Sequence, residues 1–197
     1  MSSVPARLAL TLAGLLAAWP AWAQPAPGQA NPDRPLIQPT RDVDITYRLG
    51  PAGMQERMRW SATLHLQRVD PPTPGLYAIV DSVSRRLTVV RSSDHTVLQL
   101  DSAPPGPAAA LDDPATRFRR GGPDQVDGIA CTNWQTTDSY GQDTVVCLTA
   151  DGVLLRAVGG GRILLQAVSV SFAPLDPSAF QIPAGYAVVP LPPVHGG

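Results

Sequence analysis

The chain is expected to fold as a mainly β protein: one antiparallel sheet, long enough to curl, with little helix. Three observations carry this. Apolar and polar residues alternate with period two through most of residues 41–190, the pattern of strands with one buried face. Turn-forming residues punctuate that alternation, most clearly Ala150-Asp151-Gly152, since Asp-Gly favours the tight turns that match strand twist. Two cysteines, Cys131 and Cys147, lie at equal distance from Ser139 within the turn residues Asp138, Ser139, Tyr140 and Gly141.

Residues 1–23 read as a signal peptide. Arg7 supplies the positive start, residues 8–19 an uncharged apolar run, and Ala21-Trp22-Ala23 a small-x-small cleavage site. A run of 12 residues is short of the roughly 20 needed to cross a bilayer. The mature chain is therefore expected to begin after Ala23, in the periplasm, and not to span a membrane. Residues 24–40 carry Pro25, Pro27, Pro32, Pro35 and Pro39 with no apolar periodicity, an extended tether. Residues 41–190 form the folded domain and 191–197 a flexible tail.

Within the domain, Val43, Ile45, Tyr47 and Leu49 alternate with polar residues as a first strand, ended by the turn at 50–53. Alternation then runs from Met54 to Gln67, with Met58, Trp60, Ala62, Leu64 and Leu66 on one face. Read as a single strand this reaches about 40 Å and must twist and curl. A Pro/Gly turn at 70–75 opens a meander of strands at 76–80, 86–90 and 96–100. The segment 102–124 is rich in Pro, Gly and Ala and holds one short helix near 108–112. It is either a lid or partner-contacting loop or an unstructured excursion.

In an exported chain, an even cysteine count at hairpin spacing favours a Cys131–Cys147 disulfide between directly opposed residues. A redox-active pair would want Cys-x-x-Cys at a helix start, which is absent. Strands at 145–149, 153–158 and 162–172 follow, and Asp176-Pro177-Ser178-Ala179-Phe180 reads as a capped helical turn that drops Phe180 onto the sheet.

The order CTNW, CLTADGVLLR, VSVSFAPLDPSAFQIPAGY resembles the C-terminal half of the LolA/LolB lipoprotein-carrier superfamily, in a disulfide-containing branch. The residues that carry the likeness are Cys131, Cys147, Thr149, Asp151, Gly152, Leu155, Arg156, Asp176, Pro177, Phe180, Pro183, Gly185 and Tyr186, about a third of the chain. The resemblance implies a half-barrel whose concave face holds acyl chains or other greasy ligands. Carriers of that kind place a helix at the mature N-terminus and further helices as a plug; here a proline-rich stretch and one weak helix stand instead.

The expected function is thus a non-catalytic binding or carrier protein for a lipid or other apolar molecule, with Ile45, Tyr47, Met58, Trp60, Leu64 and Leu66 as the apolar binding face, unless those side chains form a plain core. The alternative is a protein-interaction or envelope-sensing module. An enzyme is not expected: no G-x-S-x-G elbow is present, the aspartates sit mostly in turns, and His65, His95 and His195 have no ligand spacing. Gly159 to Gly161 open a β run without lysine, so no phosphate loop and no cofactor are expected. With a formal charge of −1, and one unit more negative without Arg7, the chain lacks the basic stripe of a nucleic-acid partner.

Overall fold

The computed structural model describes residues 34–101, 109–138 and 140–189. The expected signal peptide at 1–23, the tether up to residue 33 and the tail at 191–197 lie outside them. One open sheet of twelve strands, antiparallel except for the pairing of β12 with β6, makes up the fold. The strands are β1 (Val43–Leu49), β2 (Met54–Ser61), β3 (Leu66–Asp70), β4 (Leu76–Asp81), β5 (Arg86–Arg91), β6 (Thr96–Asp101), β7 (Arg117–Val126), β8 (Ile129–Thr137), β9 (Asp143–Leu148), β10 (Leu154–Gly159), β11 (Arg162–Ser171) and β12 (Ala187–Val189). Among the described residues, helix is confined to α1 (Ala109–Asp112) and a 3₁₀ turn, Pro177–Phe180. Across the sheet the order is β12-β6-β5-β4-β3-β2-β1-β11-β10-β9-β8-β7.

That order suits a bowed sheet. β6 and β7 are ten strand positions apart, roughly 48 Å in a flat sheet. The chain joins Asp101 to Arg117 in 16 steps, four of them in α1, which reach about 49 Å only if every other step is fully extended. A sheet curved toward the face that this link crosses brings the two ends within easy reach, in keeping with a half-barrel. Leu111 of the link packs on Trp134, Val146, Leu148 and Ala157, and Ala157 is paired through Leu165 to Leu49. Leu49 shares its face with Tyr47, Ile45 and Val43 by strand alternation. The inner, concave face is therefore the one that carries Ile45.

The single strand expected from Met54 to Gln67 is two strands. β2 ends at Ser61, residues 62–65 turn, and β3 returns with Ser61 opposite Leu66. His65 takes the left-handed conformation that closes the turn (φ 54°), as Arg85 and His95 do in the β4–β5 and β5–β6 hairpins. No glycine or proline marks that turn, which is why alternation alone ran through it.

The segment expected as a loop at 102–124 is likewise shortened, because β7 pairs with β8 from Arg117 to Val126. The hairpin turn is Asp127-Gly128, both left-handed (φ 49° and 76°), a strong signal that Gly121, Gly122 and Pro123 obscured upstream.

The end of the proline-rich stretch is also docked rather than solvated. Arg34 donates to the carbonyls of Leu111 (3.1 Å) and Asp113 (3.2 Å) and lies over Phe118. Ile37 packs against the cluster around Trp134, and the Thr40 amide donates to Asp151 O. Gly152 makes this possible: a Cβ there would meet Gln38 O at 2.5 Å, and its φ is +84°.

Cys131 and Cys147 are bonded, but they are not directly opposite. Asn133 opposes Cys147, so the two cysteines are diagonal, with Cα atoms 5.5 Å apart. Cys131 opposes Asp124 on β7 and Cys147 opposes Arg156 on β10. The bond therefore shares the outer face with a hydrogen-bonded ion pair of Arg156 and Asp124, which also accepts from Asn133 (3.0 Å). Leu155, at a bulge in β10, joins this end to the cluster of Val43, Ile45, Tyr47, Trp60 and Ala167.

The outer face of β3 to β6 is covered by the C-terminal segment. Asp176 caps the 3₁₀ turn by accepting from the Ser178 amide, and Phe180 is buried there as expected. Arg68 fastens the turn: it donates to Ala179 O (2.7 Å), lies 3.6 Å over the Tyr77 ring, and shares Asp70 with Arg59 at 2.7 and 2.5 Å. Tyr77, Ile79, Val90 and Val97 are the buried residues beneath, with Leu66 and Tyr186 packed against them.

Two of these carboxylates give an acid-stability prediction. Burial raises the Asp70 pKa, but hydrogen bonds from Arg68 and Arg59 outweigh it and leave the group lowered. Hydrogen bonds from Asn133, the Gln125 amide and Arg156 hold Asp124 down at about 2. A folded-state pKa below the unfolded value near 3.9 means stability that is complete above that value and lost as pH falls. Melting temperature is expected to fall between about pH 4 and pH 2, and less steeply in Asp124→Asn. An identical acid profile in that variant contradicts the assignment.

Candidate functional site

The expected binding residues divide into four groups. Ile45, Tyr47 and Trp60 share the inner face but are closed in, at 0%, 5% and 5% exposure. Tyr47 donates its hydroxyl to Leu154 O (2.7 Å), and its burial pushes its pKa above the ordinary range. Met58, opposite Ile45, is half-buried and packs on that cluster from the side. Leu64 lies exposed in the β2–β3 turn. Leu66 points to the outer face, because it opposes Ser61 and not Trp60. The face proposed over Met54 to Gln67 thus breaks where the hairpin reverses.

A different apolar surface starts at Met58. On the same inner face, successive ladder pairs align Val69 of β3, Leu76, Ala78 and Val80 of β4, Leu87 and Val89 of β5, and Leu98 and Leu100 of β6. All eight remain partly exposed, and none belongs to any of the three buried clusters. The same strands are apolar on their other face, where Tyr77, Ile79, Val90 and Val97 are buried. Antiparallel strands that are apolar on both sides are built to be covered on both. From β2 to β6 this surface crosses four strand spacings, roughly 19 Å.

The signal for this surface was present in the sequence. Leu76-Tyr77-Ala78-Ile79-Val80 and Leu87-Thr88-Val89-Val90 do not alternate cleanly. Such runs mark strands sandwiched on both faces.

Its borders are polar. Glu56, the single glutamate of the chain, sits on the inner face opposite Tyr47 and between Met54 and Met58. The Trp60 indole N–H is buried without an acceptor among the described residues. Arg91, opposite Leu76, is paired with Asp94 at 3.0 Å.

Leu111 and Ile37 pack on the far half of the inner face, and a gap of about 100 Å³ remains between Leu111 and Val146, Leu154 and Leu165. A cleft of about 200 Å³ on the outer face is bounded by Leu66, Ile79, Thr88, Arg86 and Phe180. Among the described residues no group of three or more His, Cys, Asp or Glu is placed to hold a metal ion, and no helix is long and apolar enough to cross a membrane.

No protein-family profile matches the chain, and no curated protein matches its sequence. Solved structures do share the fold. An uncharacterised conserved protein from Thermus thermophilus superposes with a TM-score of 0.54 at 15% identity, over 77% of this chain and 91% of that one. MucB superposes with a TM-score of 0.50 at 13% identity, over 75% of this chain. PNGF-II does so with a TM-score of 0.52 at 11% identity, over 77% of this chain. The chain spans 59% of the MucB chain and 32% of the PNGF-II chain. The fold of MucB is LolA-like, in agreement with the half-barrel implied by the C-terminal residues.

Proposed function

We propose that this protein is an exported, non-catalytic binding protein that holds the acyl chain of a lipid or lipoprotein on the inner face of β2 to β6. One observation carries the reading: eight apolar side chains aligned on a concave surface, partly exposed and outside every core cluster. Burying a methylene group gains about 0.8 kcal/mol, so a chain of a dozen carbons supplies ample affinity without any polar contact. The bonded cysteine pair suits an oxidising compartment, and the LolA-like fold is compatible with carriage of greasy cargo.

Solvent extraction of natively purified protein, followed by mass spectrometry, is expected to release lipid in near-stoichiometric amount. Val89→Asp and Leu98→Asp place a charge on the partly exposed surface, where the fold tolerates it and an acyl chain does not. Each is expected to reduce bound lipid at least about tenfold with an unchanged circular dichroism spectrum. Lipid retained at wild-type level by both variants overturns the assignment to this face. A protein-interaction module, the competing reading, predicts no lipid at all.

A further inference from the structure

Glu56 is out of place on an apolar surface. The pleat of β2 sends its neighbours Arg57 and Arg59 to the outer face, where Asp44 and Asp70 hold them. On the inner side Glu56 faces Tyr47, whose hydroxyl is already committed to Leu154 O. On the other flank β3 stops at Asp70, opposite Arg57, so nothing in that strand reaches it. Glu56 has no hydrogen-bond or ion-pair partner among the described residues and is half-buried. Other acids on the neighbouring strands and turns are engaged: Asp42 accepts two amides, Asp44 and Asp70 bind arginines, and Asp94 binds Arg91 and Thr96.

A lone carboxylate at the rim of a greasy surface needs a cation to complete it. Burial raises its pKa, which means that its charge is undercompensated in the free protein.

We infer that the inner face selects amphiphiles whose head group carries an ammonium, seated against Glu56 while the apolar tail lies along Val69, Ala78 and Val89. This rests on the apolar-binding reading above and adds the head-group chemistry. Glu56→Gln keeps shape and polarity and removes the uncompensated charge, so it leaves the fold intact at neutral pH.

The test uses the intact protein at pH 7 and three twelve-carbon probes below their micelle-forming concentrations: dodecyltrimethylammonium, dodecyl maltoside and dodecyl sulfate. Isothermal titration is expected to rank them in that order, with the ammonium at least about tenfold tighter than the sulfate. Glu56→Gln is expected to bring the three within about threefold, chiefly by weakening the ammonium. Asp127→Asn removes the same charge from the exposed β7–β8 turn and is expected to leave the preference intact. Equal binding of all three by the unmodified protein, or a preference that survives in Glu56→Gln or is lost equally in Asp127→Asn, overturns the head-group assignment alone. Binding of none overturns the apolar-binding reading as well.

Discussion

Removing the Cys131–Cys147 bond is expected to cost about 3 kcal/mol of folding stability. The bond closes a loop over a sequence separation of 16, and in the chain-entropy model a loop of that size restricts the unfolded state by about that amount. Both cysteines are also buried, at 6% and 1% exposure, and pack with Leu155 and Val153. Cys131→Ala with Cys147→Ala is the cleaner variant, because serine would strand buried hydroxyls. For a domain near 150 residues the loss corresponds to a fall in melting temperature of about 6–12 °C. Urea unfolding with and without reductant measures it, and an unchanged midpoint on reduction refutes it.

Ile45→Ala is expected to cost about 2–5 kcal/mol, whereas Val89→Ala costs less than about 1 kcal/mol. Both residues lie on the inner face. Ile45 is fully enclosed by the cluster around Trp60 and Leu155, so truncation leaves a cavity that the closed-in strands cannot fill. Val89 is already partly exposed and packs in no buried cluster, so its truncation trims an open surface. Ligand affinity is expected to respond in the opposite sense, weakening in Val89→Ala and holding in the folded fraction of Ile45→Ala. Denaturant unfolding of the two variants side by side decides between core and site. Equal losses of stability would make β2 to β6 a closed core and remove the binding face.

These two residues also mark where sequence reasoning stops. Ile45 and Val89 carry the same signature, an apolar side chain in a β run, and period two places each on a face without saying what lies opposite. Leu66 shows the same limit from the other side: one unmarked turn at His65 reverses the chain, and every side chain after it changes face. Cys131 and Cys147 were legible as a pair because spacing about a turn is local. Their diagonal register was not, because it depends on where within 138–142 the hairpin closes.

The amino-acid sequence alone determined the β class, most strand positions from β4 to β6 and β9 to β11, the capped turn at Asp176 and the partnership of the cysteines. Each of these follows from backbone preferences and alternation over a few residues. Only the tertiary structure decided that Ile45, Tyr47 and Trp60 are interior, that Ile37 and Leu111 pack on one half of the concave face, and that Glu56, beside the other half, has no partner among the described residues. Which side chains are covered depends on segments that meet across the sheet, such as Arg34 with Leu111 and Arg68 with Ala179. Contacts between residues about 80 to 110 positions apart leave no periodic trace in either partner.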